Sequence, residues 1–174
     1  MTHKIDILDL AQIAPTVGDG GRLDLEVAPG ALTYADQDYR IAGDAVSARV
    51  DVSRANTGYA LRLRFGAEVD GPCVRCLDQA EVRVEVDARE EDQPGVGDEM
   101  ELRSPYVNGD DLDLAAWAHD ALALEMPGQF LCRPDCAGLC PECGASLNDA
   151  DPAEHRHDSG LDPRFEKLRE LKFD

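Results

Sequence analysis

Six cysteines and two late histidines fall into four close pairs: Cys73-Val-Arg-Cys76, Cys132-Arg-Pro-Asp-Cys136, Cys140-Pro-Glu-Cys143 and His155-Arg-His157. Structural zinc takes four nitrogen or sulfur ligands in a tetrahedron, usually delivered as close pairs, so these eight residues could fill two closed sites. A closed site has no position for a substrate or an activated water, so the chemistry here is structural before it is catalytic. The C-P-E-C-G segment ending at Gly144 is the strongest local signal. A two-residue gap bends the backbone until both sulfurs face one ion, and the glycine can take the positive φ with which such a turn ends. Cys132-x3-Cys136 lies within the usual ligand spacing. His155-x-His157 departs from the H-x3–5-H spacing that serves a helix, yet residues i and i+2 of an extended segment point to the same side and can chelate one ion. The bland reading is two exposed histidines in a polar loop, EHRHDSG.

We pair Cys73 and Cys76 with Cys132 and Cys136, and Cys140 and Cys143 with His155 and His157, giving two zinc sites. A competing layout places Cys132, Cys136, Cys140 and Cys143 around one ion and leaves Cys73 and Cys76 as a separate thiol pair; the spacing leaves both open. The opening residues, MTHKIDILDLAQIAPTVGDG, contain no continuous apolar core of a signal peptide. No apolar run approaches the roughly 18–20 residues that span a bilayer. A cytoplasmic location is therefore expected, where closely spaced cysteines bind metal or do redox work more often than they form structural disulfides.

Three other functional classes fit poorly. A zinc deaminase needs H-x-E with P-C-x-x-C; this chain has Cys140-Pro141 in the opposite order and no H-x-E. A thiol oxidoreductase using Cys73 and Cys76 lacks the expected βαβ context. A zinc-dependent nucleic-acid binder lacks a dense basic patch, since Arg133, Arg156 and Arg164 stand among seven acids of the metal block. The formal charge of -19 repels polyanions and suits a basic protein partner. No small-molecule substrate is expected.

The elements that must position these ligands are mostly strands. Leu23, Leu25 and Val27 alternate with acids before Pro29-Gly30. Val46, Ala48, Val50 and Val52 alternate with polar residues, Asn56-Thr57-Gly58 makes a turn, and Ala60–Phe65 follows. Val82, Val84 and Val86 give a further strand after the first cysteine pair. Cys73 and Cys76 then sit in an inter-strand loop opened by Gly71-Pro72. Residues 85–113 hold eleven acids against Arg89 and Arg103, and read as a solvated connection or, more sharply, as a docking surface for a basic partner. Asp111 or Asp113 caps a helix through about Glu125, with Leu114, Trp117, Ala118, Ala121 and Leu122 on one face and Pro127-Gly128 as its stop. Asp162-Pro163 opens a second helix carrying Phe165, Leu168 and Leu171. The expected class is α+β, mainly β: an antiparallel meander or partial barrel over 1–92, an acidic linker and helix over 93–127, and a Cys/His zinc-binding segment with a terminal helix over 128–174.

Taken together, GPCVRCL at Gly71–Leu77, the helix running into LEMP at Leu124–Pro127, CRPDCAGLCPECGASLN at Cys132–Asn148 and DPR at Asp162–Arg164 resemble the YceD family, once called DUF177. The resemblance extends from about residue 20 to the C-terminus. Relatives of this type often end with C-x-C, where this chain has His155-x-His157, an equally good zinc donor set. The resemblance implies a bacterial cytoplasmic protein that supports accumulation of large-subunit (23S) ribosomal RNA, a ribosome-assembly factor. The charge adds that it should reach rRNA through a basic large-subunit protein or a pre-ribosomal particle, or through a limited basic patch.

Overall fold

The computed structural model describes residues 5–34, 36–93, 103–149, 155 and 157. Strand alternation dictates the main sheet. β2 (Gly20–Val27), β3 (Leu32–Tyr34), β4 (Gln37–Ile41), β5 (Val46–Ala55), β6 (Gly58–Pro72) and β7 (Gln79–Asp92) pair antiparallel around β6. One edge of β6 is shared by β5 and β4, while β7 follows the other edge from Tyr59↔Asp92 to Pro72↔Gln79. Because side chains alternate, Val46, Ala48, Val50 and Val52 of β5 lie on the same face as Leu61, Leu63, Phe65 and Val69 of β6, and all are buried.

That face is covered by α2 (Leu114–Glu125). Asp113 caps it by accepting a hydrogen bond from the Ala116 N–H at 2.9 Å, which satisfies one of the orphan donors of its first turn. Leu114, Trp117, Ala118, Ala121 and Leu122 form the buried stripe, and Met126 before Pro127 leaves the helical conformation. The single tryptophan is a core residue, 2% exposed and stacked on Tyr106. A small second sheet, β1 (Ile7–Asp9), β9 (Asp111–Asp113) and β8 (Val107–Asn108), leads the chain into this helix. It sits beside a one-turn helix α1 (Leu10–Ile13), which Asp9 caps.

Two expectations need correction. Gly71-Pro72 does not open a loop; it forms the last two rungs of β6, where the missing proline N–H is tolerated at a strand end. Glycine is required at 71 because the ring of Tyr39 lies directly on it, and a methyl group there would overlap the ring. The acidic stretch is no open connection over its first part, since Glu85–Asp92 continue β7. Asp92 is buried, its carboxylate accepting from the Ser104 N–H at 3.2 Å and facing Arg103. Asp87 pairs with Arg62, Asp110 accepts from the Tyr59 hydroxyl, and Asp113 caps α2. The helix expected from Asp162 lies outside the described residues. Among the described residues no helix is long and apolar enough to cross a membrane.

Candidate metal centres

The long β6–β7 hairpin ends in the first cysteine pair. Residues 73–78 reverse the chain with a defined bond pattern: the Cys73 N–H donates to the Asp78 carbonyl at 2.8 Å, and the Leu77 N–H donates to the Cys73 carbonyl at 2.9 Å. The third pair repeats it. The Cys140 N–H donates to the Ala145 carbonyl at 2.8 Å, and the Gly144 N–H donates to the Cys140 carbonyl at 2.9 Å. In both turns the residue after the second cysteine takes a left-handed conformation, with φ 64° at Leu77 and 72° at Gly144. Glycine does so freely, whereas a leucine there costs about 1–2 kcal/mol.

The fold brings the eight candidate residues into two groups of four, Cys73, Cys76, Cys132 and Cys136, and Cys140, Cys143, His155 and His157, with ligand atoms in each within 4.8 Å of one another. Each group could hold a metal ion. Cys132 and Cys136 thus lie with Cys73 and Cys76, and not with Cys140 and Cys143. In the first cluster the Cys73 and Cys136 sulfurs are 3.8 Å apart and those of Cys76 and Cys132 are 3.6 Å apart. A tetrahedron with metal–sulfur bonds of about 2.3 Å has edges of about 3.8 Å, so the donor set fits. In the second cluster the Cys143 sulfur is 3.7 Å from His155 Nε2, and the two histidine Nε2 atoms are 3.1 Å apart, near the shorter edges that nitrogen ligands give. All six cysteines are free thiols.

The clusters differ in their surroundings. Cys73, Cys76 and Cys136 are buried, and Cys132 is half-buried. The turn carrying Cys73 is bonded directly to the 130–139 segment. Val74 N–H donates to the Phe130 carbonyl at 2.9 Å, Leu139 N–H donates to the Arg75 carbonyl at 3.2 Å, and Arg75 Nη1 donates to the Cys136 carbonyl at 3.0 Å. Phe130 also meets Tyr39 edge-on at 4.8 Å, continuing the stack that begins on Gly71. The second cluster is open to solvent: only Cys140 is buried, Cys143 is exposed, and His157 Nδ1 lies 3.4 Å from the Glu142 carboxylate.

Proton affinities follow from these contacts. Burial alone would raise the Cys73 thiol, yet the N–H groups of Arg75, Cys132 and Cys76 hold it down at about 6. Burial pushes Cys76 and Cys132 upward. Cys140 is lowered to about 6, first by His155 and then by the N–H groups of Cys143 and Glu142. The first cysteine of each turn is therefore disposed to be a thiolate at neutral pH, the form that ligates a metal.

Sequence reasoning missed one supporting residue. Asn148 donates from Nδ2 to the Cys136 sulfur at 3.6 Å, while its Oδ1 accepts from the Ala137 N–H at 2.8 Å. Its place at the end of the CPECGASLN segment is the only signal that could have drawn attention to it. A hollow of about 550 Å³ lies away from both clusters on the outer face of the sheet, lined among others by Asp24, Arg49, Arg64, Gly66 and Asp87, with Arg49 paired to Asp24.

No solved structure matches this chain. Proteins described as uncharacterized from Mycobacterium tuberculosis and Mycobacterium bovis are 34% identical over 176 aligned residues, covering 92% of this chain and 73% of theirs. A Mycobacterium leprae protein, also described as uncharacterized, is 36% identical over 104 residues, covering 57% of this chain and 46% of its own. The family described as large ribosomal RNA subunit accumulation protein YceD matches residues 61–172, from within β6 through every candidate ligand, a narrower span than the resemblance from residue 20. On this match, which spans more than half of the chain, the protein belongs to the YceD family.

Proposed function

We propose that this protein is a non-catalytic assembly factor of the large ribosomal subunit, one that supports accumulation of 23S rRNA, is stapled by zinc and joins other components. The observation that carries the reading is the family match, whose description concerns large-subunit rRNA accumulation. Two four-donor clusters with tetrahedral edge lengths support a structural use of the metal, because every donor position is filled from the chain itself. Zinc is the ion that thiolate and imidazole sets of this kind favour. Cys73, Cys76, Cys132 and Cys136 would hold one ion, and Cys140, Cys143, His155 and His157 the other. Residues 128–174 would then be the metal-dependent segment of the chain.

The partner is a basic large-subunit protein, alone or on a pre-ribosomal particle, met in the cytoplasm. With a formal charge of -19, approach to bare rRNA is opposed and approach to a basic surface is steered. The experiment compares binding of the pure zinc-loaded protein to immature large-subunit particles and to the same rRNA stripped of protein. Salt-sensitive binding to particles is expected, with little to stripped RNA. Tight binding to bare rRNA near physiological salt would overturn the protein-mediated contact. Loss of the gene should lower 23S rRNA relative to 16S rRNA, and unchanged ratios would remove the assembly role.

A further inference from the structure

The two cysteine turns share a backbone and differ at the tip. The second turn carries Pro141, Glu142 and Gly144, and its left-handed position falls on the glycine. The first turn carries Val74 and Leu77, which are 48% and 63% exposed. Leu77 holds the left-handed conformation at φ 64° without burying its side chain. In the isolated fold this residue gains neither backbone ease nor packing, and glycine would serve the turn better. A strained backbone position bearing an exposed large apolar side chain points to a contact made outside the chain.

We propose that Val74 and Leu77 form an apolar docking tip inserted into an apolar pocket of a basic large-subunit protein; this rests on the ribosomal reading above. Charge around the tip identifies the occupant. Asp78 follows Leu77, and Asp70 faces Glu81 across the hairpin two rungs below Pro72↔Gln79, three acids against Arg40, the partner of Asp70 on β4. The arginine of the turn, Arg75, is turned back into bonds with the Cys136 carbonyl and Gln129 Oε1, both at 3.0 Å. An apolar tip on an acidic rim fits a pocket ringed by lysine or arginine. It does not fit an RNA backbone, and two copies of such a rim repel each other.

The test uses the full-length zinc-loaded protein with Leu77→Gly and, separately, Val74→Ser. Leu77→Gly should keep its zinc and melt no lower than the parent, while binding immature large-subunit particles about tenfold more weakly, as loss of a buried apolar anchor does. Val74→Ser should weaken binding in the same direction with zinc unchanged. Unaltered particle affinity in both variants overturns the proposal. So does a lower melting temperature in Leu77→Gly, which would make the leucine a packing residue. A parent dimer abolished by Leu77→Gly would assign the tip to a second copy. Equal weakening on protein-stripped rRNA would assign it to RNA, and either result overturns the protein pocket. If the parent binds no particle at all, the ribosomal reading itself falls, which is distinct from a parent that binds and variants that bind equally well.

Discussion

Cys73 meets Cys136 across 63 residues of chain, whereas Cys143 meets His155 across 12. The first cluster joins the end of the β6–β7 hairpin to the segment after α2, and does so where backbone hydrogen bonds and the Tyr39–Phe130 contact already hold the two together. The second clips a short stretch onto the turn immediately before it, in the open. A cross-link removes more freedom from the unfolded chain when the loop it closes is longer, so the same cysteine turn serves architecture at one place and local order at the other. One ligand motif read alone would not separate the two; burial and chain separation do.

The largest effect should come from breaking the long-range cluster. Cys73→Ser combined with Cys136→Ser should leave one zinc per chain by elemental analysis and lower the unfolding free energy by several kcal/mol, because ligation energy at a structural site is folding energy. Amide exchange should rise across 129–140 while the β5–β6 core stays protected. Cys143→Ser should also leave one zinc, yet with exchange raised only around 140–148. Equal destabilisation by the two variants would erase the distinction drawn above.

Chelation should separate the clusters in time. A strong chelator should remove one zinc quickly, from the exposed set containing Cys143 and His157, and the second slowly, since the buried set opens only when the 130–139 segment detaches. A single release phase of two equivalents would contradict this.

Protons should separate them next. Cys73 and Cys140 are lowered to about 6 in the metal-free protein, while Cys76 and Cys132 are raised. A lowered thiol favours ligation above its own pKa and loses that advantage as pH falls through about 6, whereas a raised thiol must surrender its proton to the metal even near neutrality. Zinc uptake at the first cluster should therefore release more protons than uptake at the second. Calorimetry of Cys143→Ser and Cys73→Ser/Cys136→Ser in buffers of different ionisation heat would measure both numbers. The smallest effect belongs to the turn backbone: Gly144→Ala should cost about 1 kcal/mol by forcing a side chain into φ 72°. Thermal unfolding with zinc bound would detect it.

Much of the scaffold was legible because its signals are local. Val46–Val52 alternate, Asp113 precedes a five-residue apolar stripe, and Asn56-Thr57 separates two strands that pair Ala55↔Gly58. The β6–β7 hairpin was underestimated because its first strand was read only to Phe65 and Gly71-Pro72 as a loop opening, whereas Gly66 lies against Arg83 and Glu85 and Gly71 carries the Tyr39 ring. The acids of β7 were read by their charge, although period-two geometry places their neighbours in the core. Burial of Asp92 depends on Ser104 twelve residues later, which no window along the chain contains. β1, β3 and β4 are only three to five residues long, too short for alternation to rise above chance. For the clusters, residue type and spacing supplied the candidate donors, and only the tertiary fold brings Cys136 beside Cys73.

That separation also has a consequence in time. Ribosomes add roughly 5–20 residues per second, so Cys73 and Cys76 emerge several seconds before Cys132 and Cys136 are made. During that interval two thiols stand at the end of a hairpin without their partners, exposed to oxidants and to the wrong metals. The second cluster completes 17 residues after its own beginning, from Cys140 to His157. Birth order thus makes the innermost joint of the finished protein the one that stays vulnerable longest while the chain is being made.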